Sequence, residues 1–224
     1  MMQSDFTGKT VLVTGASQGI GATIAKAYAN AGANTVVHYR KSKQLADIVV
    51  SNIIETGGNA IAISAELNEV TEVDNLFLKI EKIFGNIDVL INNAGSFPNS
   101  SILDLSLDDW RLMYADNVET TFLCTKSAGK IMKNSGDGTI INIASTSALN
   151  PGIDHAHYSS AKSAVVMFTQ AAAQELGQYN IRVNAIAPGL VYRPDLEEKW
   201  PDGYSRYCNA APLSCVVQPE DIAN

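Results

Sequence analysis

Six short runs of apolar residues alternate with longer amphipathic segments, and this alternation constrains the fold more than any other feature of the chain. Each run is continuously apolar and rich in β-branched residues, which is typical of strands buried on both faces. The runs lie at 10–14, 34–39, 60–64, 87–92, 138–144 and 181–187. Helical patterns follow the first three runs and stop at glycines. Regular alternation of strand and helix predicts an α/β fold with right-handed crossovers and a doubly wound parallel sheet.

Length and composition predict a single domain that associates with itself. No repeat, low-complexity segment or linker divides the 224 residues, so we expect one domain over 1–224. Charged residues make up 17% of the chain, which is below the roughly 25% that is typical of globular domains. A surface with fewer charges favours a homo-oligomer, either a dimer or a tetramer.

The charge balance and the cysteines exclude several classes of protein. A net charge of −7 argues against nucleic-acid binding, which relies on basic patches. No apolar run reaches the roughly 18 to 20 residues of a membrane span, and "MMQSDFTGKT" has no signal-peptide pattern, so we expect a cytoplasmic protein without a membrane partner. Cys124, Cys208 and Cys215 form no CxxC pair, and His155 and His157 have no further ligand at a suitable spacing. Neither a disulfide nor a metal site is expected.

The carboxyl edge of the sheet and one segment of the chain indicate where a ligand binds. In open α/β sheets ligands bind beyond the carboxyl ends of the strands, so chemistry is expected at that edge of the sheet. The segment 190–214 follows the sixth run and is polar, aromatic and interrupted by Pro194, Pro201 and Gly203. This composition predicts a mobile segment that covers the substrate.

The first strand runs directly into "TGASQGIG", where Gly15, Gly19 and Gly21 precede or open a helix. Glycines permit positive φ and close backbone approach, and a helix amino terminus presents free N–H groups to a pyrophosphate. The alternative is a tight turn without a ligand. The position within the first strand–helix–strand unit favours a dinucleotide site, although the spacing GxxxGxG differs from the more familiar GxGxxG.

Tyr158 and Lys162 are four residues apart, which places both side chains on one face of a helix. An ammonium about 5 Å from the phenol, at an effective dielectric constant near 20, contributes roughly 3 kcal/mol, so we expect the phenol to titrate near pH 8. Ser145 ends the fifth strand and can donate to the same oxygen atom. One alternative is an ordinary solvated face. Another is an acylating serine in the S-x-x-K pair of Ser159 and Lys162, but the accompanying SDN and KTG motifs are absent.

Taken together, six motifs resemble the short-chain dehydrogenase/reductase family from residue 7 onward. They are "TGASQGIG", "NNAG", Asn117 in "DNVETTF", Ser145 in "IINIAS", "YSSAK" and "RVNAIAPG". The resemblance is closest to bacterial 3-oxoacyl-acyl-carrier-protein reductases and glucose-dehydrogenase-like members. It implies a Rossmann-type fold and an NAD(P)H-dependent oxidoreductase that reduces a carbonyl compound to an alcohol. The alternatives are a sugar or alcohol dehydrogenase, and a non-catalytic NAD(P)-binding sensor or scaffold.

The resemblance also implies roles for individual residues. Asn117, Ser145, Tyr158 and Lys162 are the expected catalytic residues; Lys162 also holds the nicotinamide ribose, and Asn117 supports a chain of waters. The expected cofactor-binding residues are Gly15, Ser17, Gln18, Gly19, Ile20, Gly21, Tyr39, Arg40, Glu66, Asn93, Ala94, Gly95, Lys162, Pro188 and Gly189. The residues expected to line the substrate pocket are Ser96, Phe97, Asn150, Ile153, His155, Tyr192 and Trp200.

The end of the second strand predicts the choice of cofactor. An acidic residue there would bind the adenosine ribose and repel a 2′-phosphate, but this chain has Arg40 and Lys41 instead. A guanidinium can pair with that phosphate, so NADP is the preferred cofactor and NAD the alternative. Gln18 argues the other way, because many NADPH-dependent members of the family carry a basic residue in the glycine loop. Glu66, where the family commonly has Asp, is expected beside the adenine.

Two features depart from the family pattern. A threonine that contacts the nicotinamide carboxamide commonly follows "APGLV", but "VYRP" stands here. The helix that begins at Pro219 stops after one turn at Asn224, whereas the family continues with a last edge strand. We therefore expect a truncated or incomplete chain whose sheet has six strands and lacks that edge strand.

Overall fold

The structure is a computed structural model that describes residues 5–224, and one six-stranded sheet lies at its centre. All strands are parallel, in the order β3-β2-β1-β4-β5-β6. The strands are β1 Thr10–Val13, β2 Asn34–Tyr39, β3 Asn59–Ser64, β4 Val89–Asn92, β5 Gly138–Ile143 and β6 Ile181–Ile186. The predicted doubly wound parallel sheet is confirmed. Residues 1–4, which belong to the stretch expected to lack a signal peptide, lie outside the described residues.

Helices connect the strands and cover both faces of the sheet. They are α1 Gly19–Asn30, α2 Lys43–Glu55, α3 Val70–Phe84, α4 Leu107–Tyr114, α5 Thr120–Ser135, α6 Ala156–Leu176, α7 Leu196–Lys199, α8 Pro201–Ala210 and α9 Pro219–Ala223. Gly85 and Gly136 end α3 and α5 with φ angles of 82° and 75°, which side chains other than glycine adopt only with strain. Of the helices described, none has both the length and the apolar character needed to cross a bilayer.

Strand β1 explains why the runs are continuously apolar. Val11 and Val13 pack in a cluster with residues of α1 and α2, whereas Leu12 between them packs in a second cluster with residues of α3 and α5. All three side chains are fully buried. Because successive side chains of a strand point to opposite faces, a strand covered by helices on both sides is apolar throughout.

The order of the strands places a crevice at the carboxyl edge of the sheet. From β1 the chain moves outward through β2 and β3 on one side, and then through β4, β5 and β6 on the other. The chain leaves β1 through α1 and β4 through α4 and α5, and α1 and α5 pack on opposite faces of the sheet. Doubly wound sheets bind ligands at the carboxyl edge where the connections diverge in this way.

The segment 190–214, predicted to be a mobile cover, contains the two short helices α7 and α8. Pro201 occupies the first turn of α8, a position where its missing N–H costs no intrahelical hydrogen bond. Leu196 of α7 is buried, and Val191 forms an isolated parallel bridge with Val217. The segment is more regular than its prolines indicated, and its action as a cover stays a prediction.

Candidate active site

Four residues predicted to be catalytic lie together at the carboxyl edge. Tyr158 and Lys162 occupy successive turns of α6, and the Lys162 Nζ lies 5.7 Å from the centre of the Tyr158 ring. Ser145 lies two residues beyond the end of β5, and hydrogen bonding from its hydroxyl partly offsets the rise in the pKa of Tyr158 that burial causes. Asn117 lies beside Gly95: a Cβ built on Gly95 would be 2.5 Å from Asn117 Oδ1 and 3.6 Å from Lys162 Nζ. Because Gly95 has no side chain, Asn117 Oδ1 and Lys162 Nζ can both lie close to this position.

Lys162 is a buried cation. Its ammonium donates to the Ile143 carbonyl oxygen at 2.9 Å, which links α6 to the end of β5. Burial lowers the pKa of Lys162 from 10.5 to about 8, because the charged form loses its hydration. The ammonium therefore still carries its charge at neutral pH but gives it up in mildly alkaline solution.

Tyr158 differs from the expectation of a phenol that titrates near pH 8. Burial raises the pKa of Tyr158 above 10.0, and the hydrogen bond with Ser145 lowers it by a smaller amount. The sequence-based estimate counted only the attraction to Lys162 and could not include the desolvation of the phenol, which depends on packing. At neutral pH the phenol is protonated, which is the form that a proton donor requires.

Asn117 lies in a π-helical segment, Ala115–Glu119, which joins α4 to α5. Single π-turns occur frequently at functional sites because the extra residue redirects neighbouring side chains. The Asn117 Nδ2 donates to the carbonyl oxygens of Met113 and Ser96, each at 3.0 Å. Its Oδ1 is buried and has no hydrogen-bond partner within residues 5–224. A buried acceptor without a partner, close to Lys162, provides a position for an ordered water.

The glycine loop has two kinds of glycine. Gly15 has a φ of 61°, and a Cβ there would lie 2.9 Å from the Cα of Ala94, so this glycine permits close contact with the loop after β4. Gly19 has a φ of 55°, but a Cβ there would meet no atom within 4 Å. Gly15 therefore serves internal packing, whereas Gly19 faces open space at the start of α1.

The start of α1 fits the phosphates of a dinucleotide. Gln18, the residue that precedes the helix, makes no capping hydrogen bond with its side chain, and the first turn contains no acidic residue. Free N–H groups and the positive end of the helix dipole therefore face the open space beside Gly19. Asn93 supports the loop by donating from Nδ2 to the carbonyl oxygens of Thr14 and Gly15 at 2.9 and 3.1 Å. Ser17 in the loop and Ile20 in the first turn of α1 are half-buried.

His38 was missed by the sequence analysis, although it contacts the glycine loop directly. The Gly15 N–H donates to His38 Nδ1 at 3.0 Å, and His38 Nε2 lies 3.1 Å from the Ala65 carbonyl oxygen. The ring is therefore neutral with its proton on Nε2, and burial lowers its pKa from 6.5 to about 4. A histidine inside a β-branched strand was the available signal. It identifies His38 as a residue that positions the loop.

Arg40 lies at the predicted edge but already has two partners. Its Nη1 is 3.3 Å from Oδ1 of Asp116 and 3.6 Å from Oε1 of Glu66. Asp116 precedes Asn117 in the π-helical segment; it begins the motif "DNVETTF", in which only Asn117 was assigned a role. Glu66 lies just beyond β3, and the half-buried Tyr39 ends β2. The guanidinium expected to face a phosphate therefore also faces carboxylates.

Two of the residues expected in the substrate pocket surround the phenol. The rings of Phe97 and His155 lie 6.4 and 5.9 Å from that of Tyr158, both edge to face. Arg193 lies over the outer side of Phe97, 5.8 Å from the ring centre. Ile153 and Trp200, also expected to line the pocket, are exposed in this structure.

The motif that follows β6 lies beside the same site. The Pro188 carbonyl oxygen accepts from the Thr146 N–H at 2.9 Å, which joins the loops after β5 and β6. The position where Gly189 lacks a side chain is occupied by the hydroxyl of Tyr207 from α8. The second helix of the segment 190–214 thus contacts the cofactor-binding motif expected at this edge.

Comparison with known proteins finds similar proteins over nearly the whole chain. The model of the short chain dehydrogenase family matches residues 9–204. A 3-oxoacyl-[acyl-carrier-protein] reductase from Synechocystis is 40% identical over 97% of this chain and 87% of its own length. Glucose 1-dehydrogenase 2 from Bacillus subtilis is 32% identical over 99% of this chain and 87% of its own. The crystal structure of a short-chain type dehydrogenase/reductase from Mycobacterium marinum superposes with a TM-score of 0.92 at 35% identity, over 98% of this chain and 87% of that one.

The chain belongs to the short-chain dehydrogenase family. It is an enzyme, an NAD(P)-dependent oxidoreductase built on a Rossmann-type fold. The resemblance read from the six motifs is confirmed.

Proposed function

We propose that this enzyme reduces a carbonyl compound to an alcohol, with NADPH as the hydride donor and Tyr158 as the proton donor. The observation that carries the proposal is the position of the Lys162 ammonium, 5.7 Å from the centre of a largely buried Tyr158 ring whose pKa is raised by burial and lowered by the Ser145 hydroxyl. All three groups lie at the edge of the sheet where the glycine loop begins α1. Lone tyrosines and lysines on helices are usually solvated, whereas these two are largely buried.

Tyr158, Ser145 and Lys162 have different roles in the proposed proton transfer. Bound NADPH supplies the hydride. The Tyr158 hydroxyl donates its proton to the carbonyl oxygen, and the Ser145 hydroxyl donates a hydrogen bond to the same oxygen as negative charge develops. The Lys162 ammonium stabilises the phenolate that remains, because opposite charges attract strongly in a partly dehydrated site.

Asn117 has a supporting role in the proposal. The phenolate must regain a proton after each turnover, and the site is partly buried. A water that donates to the Asn117 Oδ1, which has no partner among the described residues, would lie close to Lys162 and could pass protons inward. Asn117 therefore holds a water instead of contacting the substrate.

NADPH is the proposed cofactor, with NADH as the alternative. Arg40 and Lys41 follow β2, and no acidic residue stands at that position to repel a 2′-phosphate. A guanidinium makes strong charge-assisted hydrogen bonds to phosphate. The contacts of Arg40 with Glu66 and Asp116 oppose this preference without removing the cation.

A 3-oxoacyl thioester or a similar ketone is the proposed substrate. The similarity to the Synechocystis 3-oxoacyl-[acyl-carrier-protein] reductase supports this class. Oxidation of a sugar or an alcohol is the second candidate, and the similarity to the Bacillus subtilis glucose 1-dehydrogenase supports that direction. Self-association is also proposed, because apolar side chains are exposed along α4, α5 and α6, including Leu107, Phe122 and Met167.

A substrate panel tests the proposal. The purified protein is mixed with NADPH and, in separate reactions, with acetoacetyl thioester, a simple β-keto ester and an unactivated ketone, and NADPH absorbance is followed. The reverse arm supplies NADP⁺ with glucose and with a secondary alcohol. We expect the fastest NADPH loss with a 3-oxoacyl compound. Turnover only in the arm with glucose and NADP⁺ would replace the reductase by a sugar dehydrogenase, and no turnover in any arm would contradict both.

A further inference from the structure

Arg40, Glu66 and Asp116 form a cluster that links three elements at the carboxyl edge of the sheet. Arg40 follows β2, Glu66 follows β3, and Asp116 lies in the π-helical segment 76 residues beyond Arg40. The Arg40 Nη1 lies 3.3 Å from Asp116 Oδ1 and 3.6 Å from Glu66 Oε1. One cation therefore faces two carboxylates, and the three groups together carry a net charge of −1.

The three side chains differ in their access to solvent. The Asp116 side chain is 10% exposed, that of Glu66 32%, and that of Arg40 49%. A carboxylate as buried as Asp116 is weakly screened by water and salt, so its pairing with Arg40 is stronger than an ordinary surface ion pair. Arg40 has a solvent-facing side from which a ligand can approach. Asp116 is thus the partner with which an incoming anion would compete most directly.

The cluster lies beside the groups that fit the cofactor. His38, two residues before Arg40, accepts the hydrogen bond from the Gly15 N–H of the glycine loop. On the other side, Asp116 directly precedes Asn117, whose Oδ1 lies near Lys162. The cluster therefore connects the expected adenosine end of the cofactor groove to the element that carries a proposed catalytic residue.

We propose that Asp116 is a specificity-determining residue that weakens the preference for NADPH over NADH by competing for Arg40. The inference rests on the proposed role of Arg40 towards the 2′-phosphate. A phosphate of charge about −1.5 to −2 must share the guanidinium with Asp116 and is repelled by both carboxylates. The neutral ribose hydroxyls of NADH suffer no such repulsion and can donate to a carboxylate. The cluster therefore accepts either cofactor, with a smaller discrimination than Arg40 alone would give.

A merely structural role for Asp116 predicts something different. If the ion pair only fastens the π-helical segment to β2, its loss loosens the site for both cofactors to the same extent. The ratio of the two affinities then stays constant while thermal stability falls. The ratio, and not the absolute affinity, separates the two roles.

Direct binding of cofactor fragments provides the first test. Affinities for 2′,5′-ADP and for 5′-ADP are measured by calorimetry on the full chain, which needs no turnover. In Asp116→Asn, which preserves shape and removes the charge, we expect the affinity ratio to shift towards 2′,5′-ADP by about fivefold, as for an interaction of roughly 1 kcal/mol. Asp47→Asn removes the same charge from an exposed pair with Lys43 on α2 and should shift the ratio by less than about twofold.

Two further variants separate failure of this inference from failure of the proposed cofactor. Arg40→Ala should lower the 2′,5′-ADP affinity and leave that for 5′-ADP nearly unchanged. If Arg40→Ala does so while Asp116→Asn leaves the ratio unchanged, the role of Asp116 is wrong and the NADPH assignment stands. If neither variant moves the ratio, both fail.

Glu66→Gln tests the same electrostatics away from the π-helical segment. It should shift the ratio in the same direction as Asp116→Asn and by less, because Glu66 is more exposed and farther from Arg40. If Asp116→Asn does not fold, the ratio of the 2′,5′-ADP and 5′-ADP affinities of Glu66→Gln is the deciding measurement. A ratio equal to that of the wild type overturns the inference. The kcat/KM values for NADPH and NADH should follow the same order.

Discussion

Burial shifts the pKa values of three residues near the site. The protonation state that results decides which hydrogen bonds each residue can donate or accept. His38 stays neutral because burial lowers its pKa to about 4, which lets one ring nitrogen accept from Gly15 and the other donate to Ala65. Burial also raises the pKa of Tyr158 and lowers that of Lys162 to about 8. In all three cases the charged form loses hydration that packing does not replace. Stability and chemistry are therefore both sensitive to pH.

His38 predicts a loss of stability in mild acid. Its pKa is lowered in the folded state from 6.5 to about 4, so between these values the unfolded chain binds a proton that the folded chain does not. The stability is fully present above pH 6.5 and falls as the pH drops towards 4, by about 3 kcal/mol in total. Urea unfolding of the wild type and of His38→Asn across this range measures the effect.

The variant is expected to be less stable at neutral pH, because Asn cannot reach both hydrogen-bond partners. Its free energy of unfolding should nevertheless vary less with pH than that of the wild type. If the free energies of unfolding of the two proteins fall equally with decreasing pH, His38 does not cause the loss of stability in acid. Titration of the His38 ring by NMR provides an independent value of its pKa.

The buried charge of Lys162 is expected to lower the stability of the fold while being required for turnover. The folded-state pKa is depressed from 10.5 to about 8, so the energetic penalty of the buried charge is fully present below pH 8 and is relieved as the pH rises towards 10.5. Lys162→Met removes the charge and keeps much of the volume, and should stabilise the fold at neutral pH by about 1–2 kcal/mol after loss of the hydrogen bond to Ile143. Turnover should be lost. A variant that is both inactive and less stable at neutral pH would contradict this.

Among the elements, the glycine loop shows how one motif combines packing and binding. Gly15 lies against the backbone of Ala94, and Gly21 lies close to Asn93, so these glycines hold the loops after β1 and β4 together. Gly19 also has a positive φ, but a Cβ at this position would meet no atom within 4 Å. Some glycines of this motif therefore serve packing and another leaves space for a ligand, and the spacing of the glycines in the sequence does not distinguish the two roles.

This difference gives a prediction for two matched substitutions. Gly15→Ala places a methyl group against the Ala94 backbone at positive φ and should destabilise the fold by about 2–3 kcal/mol. Gly19→Ala meets no atom, so only the backbone strain of about 1 kcal/mol applies. Its methyl group points into the space proposed for the phosphates and should weaken 5′-ADP binding at least tenfold, roughly 1.4 kcal/mol. Thermal unfolding and calorimetry measure both quantities, and unchanged 5′-ADP binding by Gly19→Ala would contradict the assignment of the loop.

Most elements were predictable from the sequence because their signals are local. The run at 138–144 contains β5, Gly138–Ile143, and the helix predicted to follow the third run and stop at a glycine is α3, which ends at Phe84 before Gly85. The π-helical segment had no such signal, since neither Gly nor Pro marks its extra residue. The contact of Arg40 with Asp116 joins residues 76 apart and depends on the strand order. The local sequence pattern therefore predicts the strands and helices. The charged contacts at the site depend on which strands lie side by side in the folded sheet.

For the molecule as a whole, exposed apolar side chains along α4, α5 and α6 are the basis of the proposed self-association. Leu107, Phe122 and Met167 are exposed on these helices. A large exposed apolar surface is typical of a face that is covered by another protein. Together with the low charged fraction, this supports the proposed dimer or tetramer.

Light scattering on the purified protein tests the self-association. We expect a mass of two or four times 23.9 kDa. The double substitution of Phe122 and Met167 by Asp should shift the mass towards that of the monomer, because charges would be buried in the interface. Leu78→Asp on α3 is the control, since Leu78 is as exposed as Met167 but lies on another helix. A monomeric wild type, or dissociation by Leu78→Asp alone, would contradict the proposed face.

The Tyr158 hydroxyl is proposed to supply the proton during reduction of a carbonyl group by NADPH. Tyr158→Phe removes this oxygen and keeps the ring packed between Phe97 and His155. The direct measurement pairs NADPH binding, followed by nucleotide fluorescence, with NADPH consumption on the best substrate of the panel. We expect binding within about twofold of the wild type and turnover lower by about a thousandfold or more, within the range of general acid catalysis. Turnover that survives in Tyr158→Phe, with NADPH still bound, would contradict the account.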